Sequence, residues 1–178
     1  MSFPPERVET DRLLLRHPLG EDAEKIFVGY AADPEVTRYL LWKPHTSIND
    51  TADFLARCYF MIREKIAFPF SITMKDTGEM VGMTEMRISG NRIDIGYVLG
   101  KKHWNRGMMT EAVQQLIVEG FQEPTIFRVG ATCHTENIAS ARVLEKAGMT
   151  REGTLRRYSL FPNLGPIPAD VYSYAITK

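Results

Sequence analysis

The chain has 178 residues, of which 44% are hydrophobic and 25% charged, so it is long enough for one domain with a sizeable core and short for two. Lys and Arg together number 22, as do Asp and Glu, and the formal net charge is zero. This balance argues against nucleic acid or a membrane surface as a partner, and any basic ligand site must be local.

The N-terminal sequence, the cysteines and the histidines exclude further classes of protein. Met1–Arg7 lacks the apolar core of a signal peptide, and no apolar run approaches the roughly 18 residues that span a bilayer. Cys58 and Cys133 are too few for a disulfide framework, and the four histidines lack metal-ligand spacing. We therefore expect a cytoplasmic, metal-free protein with a single domain over residues 1–178.

The predicted elements are typical of a mixed α+β fold, with one sheet covered by helices. In chain order we predict a strand at Arg7–Arg16, helices at Glu21–Ala31, Asp33–Leu40 and Ile48–Lys65, strands at Phe68–Met74, Met80–Ile88 and Arg92–Leu99, a helix at Gly107–Phe121, a strand at Thr125–Cys133, a helix at Asn137–Ala147, and strands at Met149–Leu160 and Asp170–Thr177. Ser47 is the expected N-cap of the longest helix.

The junction between the predicted strand Arg92–Leu99 and the Gly107–Phe121 helix is suited to binding an anion. The first turn of a helix exposes unpaired backbone N–H groups and the positive end of the helix dipole. Gly107 lets a phosphate approach the backbone, and Arg106 adds a cation beside it. The segment is neither a Walker loop nor a dinucleotide-binding glycine triplet. By itself, it could equally be an ordinary tight connection.

Four segments in a fixed order resemble a known family. They are Thr10–Arg16 (TDRLLLR), Asp94–Leu99 (DIGYVL), Trp104–Ala112 (WNRGMMTEA) and Asn137–Met149 (NIASARVLEKAGM), with Glu152-Gly153 following. Over essentially its whole length the chain is similar to the GNAT superfamily, the Gcn5-related N-acetyltransferases, and to its RimJ/RimL-like branch. The resemblance implies a strongly twisted, mostly antiparallel mixed sheet of about six to seven strands flanked by helices, with acetyl-CoA as cosubstrate.

The resemblance also implies which residues hold the coenzyme. The pyrophosphate would be cradled by a continuous run: Trp104, Asn105, Arg106, Gly107, Met108, Met109 and Thr110. The backbone of Val98 and Leu99 would pair with the pantetheine arm like an added strand, and Asn137 and Ser140 would reach the coenzyme from its other side. Helix capping is the alternative role for Asn137 and Ser140. The family motif usually has Gln or Arg where this chain has Trp104, and a small residue where it has Met109.

Acetyl transfer to an amine needs a base for the amine, a donor for the oxyanion and a way to release the thiolate. Asp94 is the first candidate for the base and Glu85 the second, although either could be a solvated strand carboxylate. A backbone N–H near Val98 or Leu99 would meet the oxyanion. Leu144 occupies the position where many superfamily members carry a tyrosine acid, so we expect no strong general acid.

Hydroxyl and aromatic side chains complete the predicted site. Ser140 is the nearest hydroxyl to the thiolate within the family segment, and Tyr158 is a more speculative substitute. Tyr39, Trp42 and Tyr158 are the candidate walls of the acceptor site, with His45 beside them. Packing between helices is the alternative role for these aromatic residues.

Three functions are compatible with these features. The first is an enzyme that acetylates a primary amine, either a protein N-terminus or a small molecule. The second is a non-catalytic acyl-CoA-binding regulatory module of the same fold, which the leucine at position 144 keeps open. The third, a binder of unrelated nucleotide phosphates, is disfavoured by the Asn137–Gly148 segment. A homodimer is an expectation from the family resemblance only.

Overall fold

A computed structural model describes residues 3–178, and Met1 and Ser2, which begin the N-terminal segment discussed above, lie outside the described residues. The strands are β1 (Arg7–Glu9), β2 (Leu13–Arg16), β3 (Phe68–Met74), β4 (Met80–Ser89), β5 (Arg92–Leu99), β6 (Arg128–His134), β7 (Thr150–Ser159) and β8 (Ala169–Thr177). The α-helices are α1 (Ala23–Ile26), α2 (Pro34–Thr37), α3 (Ile48–Arg63), α4 (Met108–Gln122) and α5 (Ile138–Lys146).

The eight strands form one sheet in the order β1-β2-β3-β4-β5-β6-β8-β7. Every neighbouring pair is antiparallel except β5 and β6, which are parallel and are connected through α4. The predicted fold class is confirmed, but the expected six to seven strands become eight. The predicted strand Arg7–Arg16 is a hairpin, because Thr10 turns the chain by accepting a hydrogen bond from the N–H of Leu13 at 2.9 Å.

Helices cover both faces of the sheet and divide the core into two clusters. On one face lie α4 and α5, and the predicted apolar stripe of α4 is buried from Met108 to Gly120. On the other face, the segment containing α1 packs with α3 against β4. A residue of a central strand therefore faces either the α4–α5 side or the α1–α3 side, according to its position in the alternation.

Two of the predicted helices differ in detail from those observed. The predicted helix at Glu21–Ala31 is a continuous helical segment of three geometries: a 3₁₀ turn at Gly20–Asp22, then α1, then a π-helical turn at Phe27–Ala31. The predicted helix at Asp33–Leu40 is regular only in α2. By contrast, α3 begins as predicted, with Ser47 as its N-cap and the Asp50 carboxylate accepting a hydrogen bond from the N–H of Ser47.

The parallel strands β5 and β6 pair over only three residues each. The register joins Arg92–Asp94 of β5 to Arg128–Gly130 of β6, and the strands then diverge. Beyond that point β6 continues alongside β8, whereas β5 keeps β4 as its neighbour. Within residues 3–178, the edge of β5 from Ile95 to Leu99 that faces away from β4 has no paired strand.

Two classes of feature are absent from the described part of the chain. No helix between residues 3 and 178 is long and apolar enough to cross a membrane. Over the same residues, no cluster of three or more His, Cys, Asp or Glu side chains could hold a metal ion.

Asp22 is a buried carboxylate that ties the first helical segment to the sheet. It accepts two hydrogen bonds of 2.8 Å from Arg16, one of 2.9 Å from the N–H of Leu19 and one of 3.0 Å from Ser71. Burial by itself would raise the pKa of Asp22, but Arg16 and the other donors outweigh it and hold the pKa below its usual value.

We predict that Asp22→Asn lowers the free energy of unfolding by about 3 kcal/mol, because it leaves the Arg16 guanidinium without its anion. Urea denaturation measures this loss. Glu21→Gln removes the charge of the exposed neighbouring residue and should change the stability by less than about 0.5 kcal/mol. Equal losses in the two variants would contradict a structural role for the buried pair.

Candidate active site

A cleft of about 600 Å³ opens where β5 and β6 diverge. It is lined by the end of β5, the turn before α4, the first turns of α4 and α5, and α2 with the residues after it. Ten of the eleven predicted coenzyme residues line it: Val98, Leu99, Trp104, Asn105, Gly107, Met108, Met109, Thr110, Asn137 and Ser140. Arg106 is exposed and does not line the cleft, and its carbonyl accepts a 3.1 Å hydrogen bond from Arg12.

The free edge of β5 presents alternate residues to the cleft. The N–H of Gly100 donates to the carbonyl of Val81 in β4 at 2.8 Å, and the side-chain hydroxyl of Thr84 in β4 donates to the carbonyl of Gly96. Because backbone groups alternate along a strand, Val98 also directs its N–H and C=O toward β4. The groups that face the cleft are therefore those of Tyr97 and Leu99. This geometry favours Leu99 over Val98 for backbone contacts with a ligand, and adds Tyr97.

The turn before α4 exposes backbone rather than side chains. Asn105 and Gly107 both adopt left-handed conformations, with φ of 59° and 74°. Met108 and Met109 bury their side chains, being 4% and 3% exposed, so only their backbone is available to a ligand. In the first hydrogen bond of the helix, the N–H of Glu111 donates to the carbonyl of Gly107. The N–H groups of the helical residues before Glu111 are therefore the unpaired donors of a helix start.

Trp104 holds the end of β5 in place. Its indole N–H donates to the carbonyl of Leu99 at 2.8 Å, and its ring packs on the hydrophobic cluster of the α1–α3 side. The Leu99 carbonyl is thus already bonded, whereas its N–H faces the cleft. This contact gives Trp104 a structural role at the end of β5.

Asn137 and Ser140 lie at the start of α5. The side chain of Asn137 accepts a 3.1 Å hydrogen bond from the N–H of Ser140, so the capping role left open for Asn137 is observed. The hydroxyl of Ser140 lies 2.8 Å from the hydroxyl of Tyr97. Both Ser140 and Tyr97 line the cleft from the α4–α5 side of the sheet.

The two candidate carboxylates lie on the opposite side of the sheet, and neither lines the cleft. Asp94 is 55% exposed at the point where β5 and β6 diverge, between Arg92 at 3.9 Å and Arg128. Glu85 is only 21% exposed, pairs with Arg87, and lies over Gly96. A Cβ at position 96 would come within 3.3 Å of the Glu85 carboxylate, so the absence of a side chain on Gly96 leaves room for that carboxylate. Burial raises the pKa of Glu85, and Arg87 offsets only part of this.

Only one of the three candidate acceptor aromatics lines the cleft. Tyr39 does so, and its ring stacks on buried His134 with a centroid distance of 5.0 Å. Trp42 packs against His45 and the α1–α3 cluster, which matches the packing role left open for it. Tyr158 is 62% exposed on the edge strand β7, outside the lining of the cleft.

The lining residues that the sequence analysis did not identify include four with polar or charged side chains that could contact a ligand: Tyr97, Arg38, Arg142 and Lys146. Arg142 and Lys146 are four residues apart in the Asn137–Met149 segment, and this spacing places them on one face of α5. Tyr97 lies within the Asp94–Leu99 segment. Helical spacing could have revealed the two cations of α5, whereas no local signal shows that Arg38 reaches the cleft from α2.

The comparisons with known proteins identify the family. The model of the acetyltransferase (GNAT) domain matches residues 12–150. The chain belongs to the GNAT acetyltransferase family. It is 35% identical to the N-acetyltransferase p20 of Bacillus licheniformis, over 97% of both chains. It is 28% identical to the [ribosomal protein uS5]-alanine N-acetyltransferase of Escherichia coli, over 89% of this chain and 86% of that enzyme.

The solved structures agree with this family. A GNAT-family acetyltransferase from Bacillus anthracis superimposes with a TM-score of 0.84 at 29% identity, over 96% of this chain and 98% of that one. Acetyl-CoA is the acetyl donor of GNAT acetyltransferases, so the predicted fold, enzyme class and cosubstrate are confirmed at the level of the family.

We predict that Gly107→Ala raises the Kd for acetyl-CoA at least tenfold, because a Cβ in this left-handed conformation strains the turn whose N–H groups face the ligand. Isothermal titration calorimetry measures the Kd. Gly78→Ala is the matched control, since Gly78 has φ of 68° in the β3–β4 loop and no neighbour within 4 Å. Both variants should lose about 1 kcal/mol of stability. Equal effects on binding would contradict the role assigned to the turn.

Proposed function

We propose that this protein transfers the acetyl group of acetyl-CoA to a primary amine, by direct attack of the amine on the thioester within a ternary complex. The observation that carries the proposal is that one cleft is bordered both by an unpaired strand edge, that of β5, and by the N-terminus of a helix, α4. The strand edge can hydrogen-bond an extended amide chain, and the helix start can bind phosphates. Coenzyme A contains both groups.

The charges around the cleft support the same ligand. Arg38, Arg142 and Lys146 line the cleft, together with two acidic residues, Glu35 and Glu136. Glu35 is paired with Lys101 at 2.5 Å, so the three cations around the mouth outnumber the remaining carboxylate, that of Glu136. Phosphates that lie outside the helix start would meet these side chains.

Glu85 is the better-supported base of the two carboxylates. A general base works best when its pKa lies near the working pH, and burial shifts the pKa of Glu85 in that direction. Its carboxylate lies over Gly96, next to the residue whose backbone faces the cleft. Asp94 is 55% exposed and lies between Arg92 and Arg128 at the outer end of the divergence, where its carboxylate faces solvent rather than a reacting group. A water molecule would carry the proton from the amine to Glu85.

An N-terminal α-amine suits this base better than a lysine side chain. Making an α-amine with a pKa of about 8 neutral at pH 7 costs about 1.4 kcal/mol, whereas a lysine with a pKa of about 10.4 costs about 4.6 kcal/mol. One partly buried carboxylate can supply the first more easily than the second. The related uS5 enzyme is named for acetylation of an alanine in a ribosomal protein. We therefore propose a protein N-terminus as the acceptor, with a small-molecule amine as the second candidate.

We predict that acetyl-CoA raises the melting temperature, since a ligand present at a hundred times its Kd adds about 2.7 kcal/mol to stability. Differential scanning fluorimetry measures the shift, with ATP and NAD as controls that should give none. Release of free thiol should then depend on the acceptor in a panel of peptides, amino acids and polyamines. A shift with acetyl-CoA but no thiol release from any amine would support the non-catalytic acyl-CoA-binding module instead.

We predict that Glu85→Gln lowers kcat at least a hundredfold, because it removes the base but keeps the shape of the side chain. Asp94→Asn is the matched comparison and should change kcat less than threefold. The rates are measured by thiol release with a peptide acceptor at saturating acetyl-CoA. The reverse order of effects would assign the base to Asp94.

A further inference from the structure

Tyr97 places a partly buried hydroxyl beside the cleft, at a position that is neither the base nor a backbone contact. Its side chain extends from β5 toward the α4–α5 side of the sheet and contacts the first turn of α5. Its hydroxyl lies 2.8 Å from the Ser140 hydroxyl and 3.2 Å from the Ser140 carbonyl. Burial raises the pKa of Tyr97, so at neutral pH the side chain is a phenol with one proton to donate.

That single proton can serve only one of its two acceptors at a time. When Tyr97 donates to the Ser140 carbonyl, the Ser140 hydroxyl can donate to Tyr97. When Tyr97 instead donates to the Ser140 hydroxyl oxygen, the proton of Ser140 is free to point into the cleft. The Cys133 thiol also contacts Ser140, but burial raises its pKa to about 11, so it adds no negative charge there.

We infer that Tyr97 is a positioning residue that turns the Ser140 hydroxyl toward the sulfur of coenzyme A as the thiolate leaves. This role rests on the proposed acetyl transfer. In that step the amine nitrogen bonds to the carbonyl carbon, and the C–S bond breaks with its electron pair going to sulfur. The amine proton goes to Glu85 through water. Ser140 donates a hydrogen bond to the thiolate, Tyr97 donates to Ser140, and neither residue loses its proton.

Leu144 cannot donate a proton or a hydrogen bond to the leaving thiolate, so another residue must stabilise the sulfur. Leu144 follows Ser140 by one turn of α5, and its side chain is apolar and fully buried in the core. The leaving thiolate therefore has no acid on that turn of α5. A thiol with a pKa of about 8.5 leaves readily as an anion, so a hydrogen bond to the sulfur is sufficient. Tyr97 and Ser140 supply that hydrogen bond from β5 and from the first turn of α5.

A purely structural role for Tyr97 has a matched control in the same core. Tyr174 of β8 also reaches α5, where its hydroxyl donates to Glu145 at 2.9 Å. It is 1% exposed and lies on the same side of the sheet as Tyr97. Replacing either tyrosine by phenylalanine removes a hydroxyl that is hydrogen-bonded to α5. Only Tyr97 is bonded to a residue that lines the cleft.

The experiment compares Tyr97→Phe, Ser140→Ala, the double variant and Tyr174→Phe by single-turnover thiol release with a peptide acceptor. We expect Tyr97→Phe and Ser140→Ala each to slow the transfer step about tenfold, as expected for one hydrogen bond to a charged group. The double variant should also be about tenfold slower, since the two residues act as one unit. The KM for acetyl-CoA should stay within twofold of the wild-type value, and Tyr174→Phe should transfer at the wild-type rate.

Each outcome supports or overturns the inference. The acetyl-CoA-dependent rise in melting temperature shows that every variant is folded and binds the coenzyme. Tyr97→Phe at the wild-type rate, or a double variant about a hundredfold slower, overturns the positioning role while the proposed function stands. An equal slowing by Tyr174→Phe assigns the effect to the anchoring of α5. Wild-type protein that binds acetyl-CoA but acetylates no amine overturns the proposed function and this role together.

Discussion

The divergence of β5 and β6, which are the one parallel pair of strands within residues 3–178, is the constraint on which the site depends. β5 and β6 hold each other over three residues and then separate, because β6 follows β8 while β5 follows β4. Exposed backbone donors and acceptors at the centre of a sheet are costly unless a partner meets them. The free edge of β5 is therefore where we propose that an extended ligand with amide groups binds. The crossover helix α4 begins at the end of the same strand, which brings its N-terminus to the mouth of the opening.

The sheet also separates the two halves of the proposed chemistry. Tyr97 and Ser140 lie on the side of α4 and α5, where they can meet the leaving sulfur. Glu85 lies on the side of α1 and α3, where burial adjusts its pKa for accepting a proton. An amine that approaches from the second side would attack a thioester held from the first. The base and the thiolate are then kept apart by the width of the sheet, and the growing negative charge on sulfur does not repel the Glu85 carboxylate directly.

Local sequence signals predicted most of the elements, and they were weakest where neighbours decide the outcome. Strands β3 and β5 have their predicted bounds, because alternating apolar residues between turn residues mark a strand. The stripe of α4 was readable from spacing alone. The β1–β2 hairpin was missed, since the three consecutive leucines conceal a turn that depends on the hydroxyl of Thr10. The helix predicted at Asp33–Leu40 was longer than the observed α2, because contacts that the helical pattern does not record set the end of the helix.

The sequence by itself was sufficient to predict the family, the fold class and the turn proposed to bind the coenzyme, because each prediction depends on residue types at fixed short spacings. The tertiary structure decided which groups face one another. It placed the backbone of Val98 against β4 and left Leu99 facing the cleft, because a strand alternates and only its pairing shows which edge is free. It also distinguished Glu85 from Asp94, since the burial that raises a carboxylate's pKa comes from neighbours distant in the chain. The Tyr97–Ser140 pair, 43 residues apart, exists only because β5 and α5 meet across the gap left by β6.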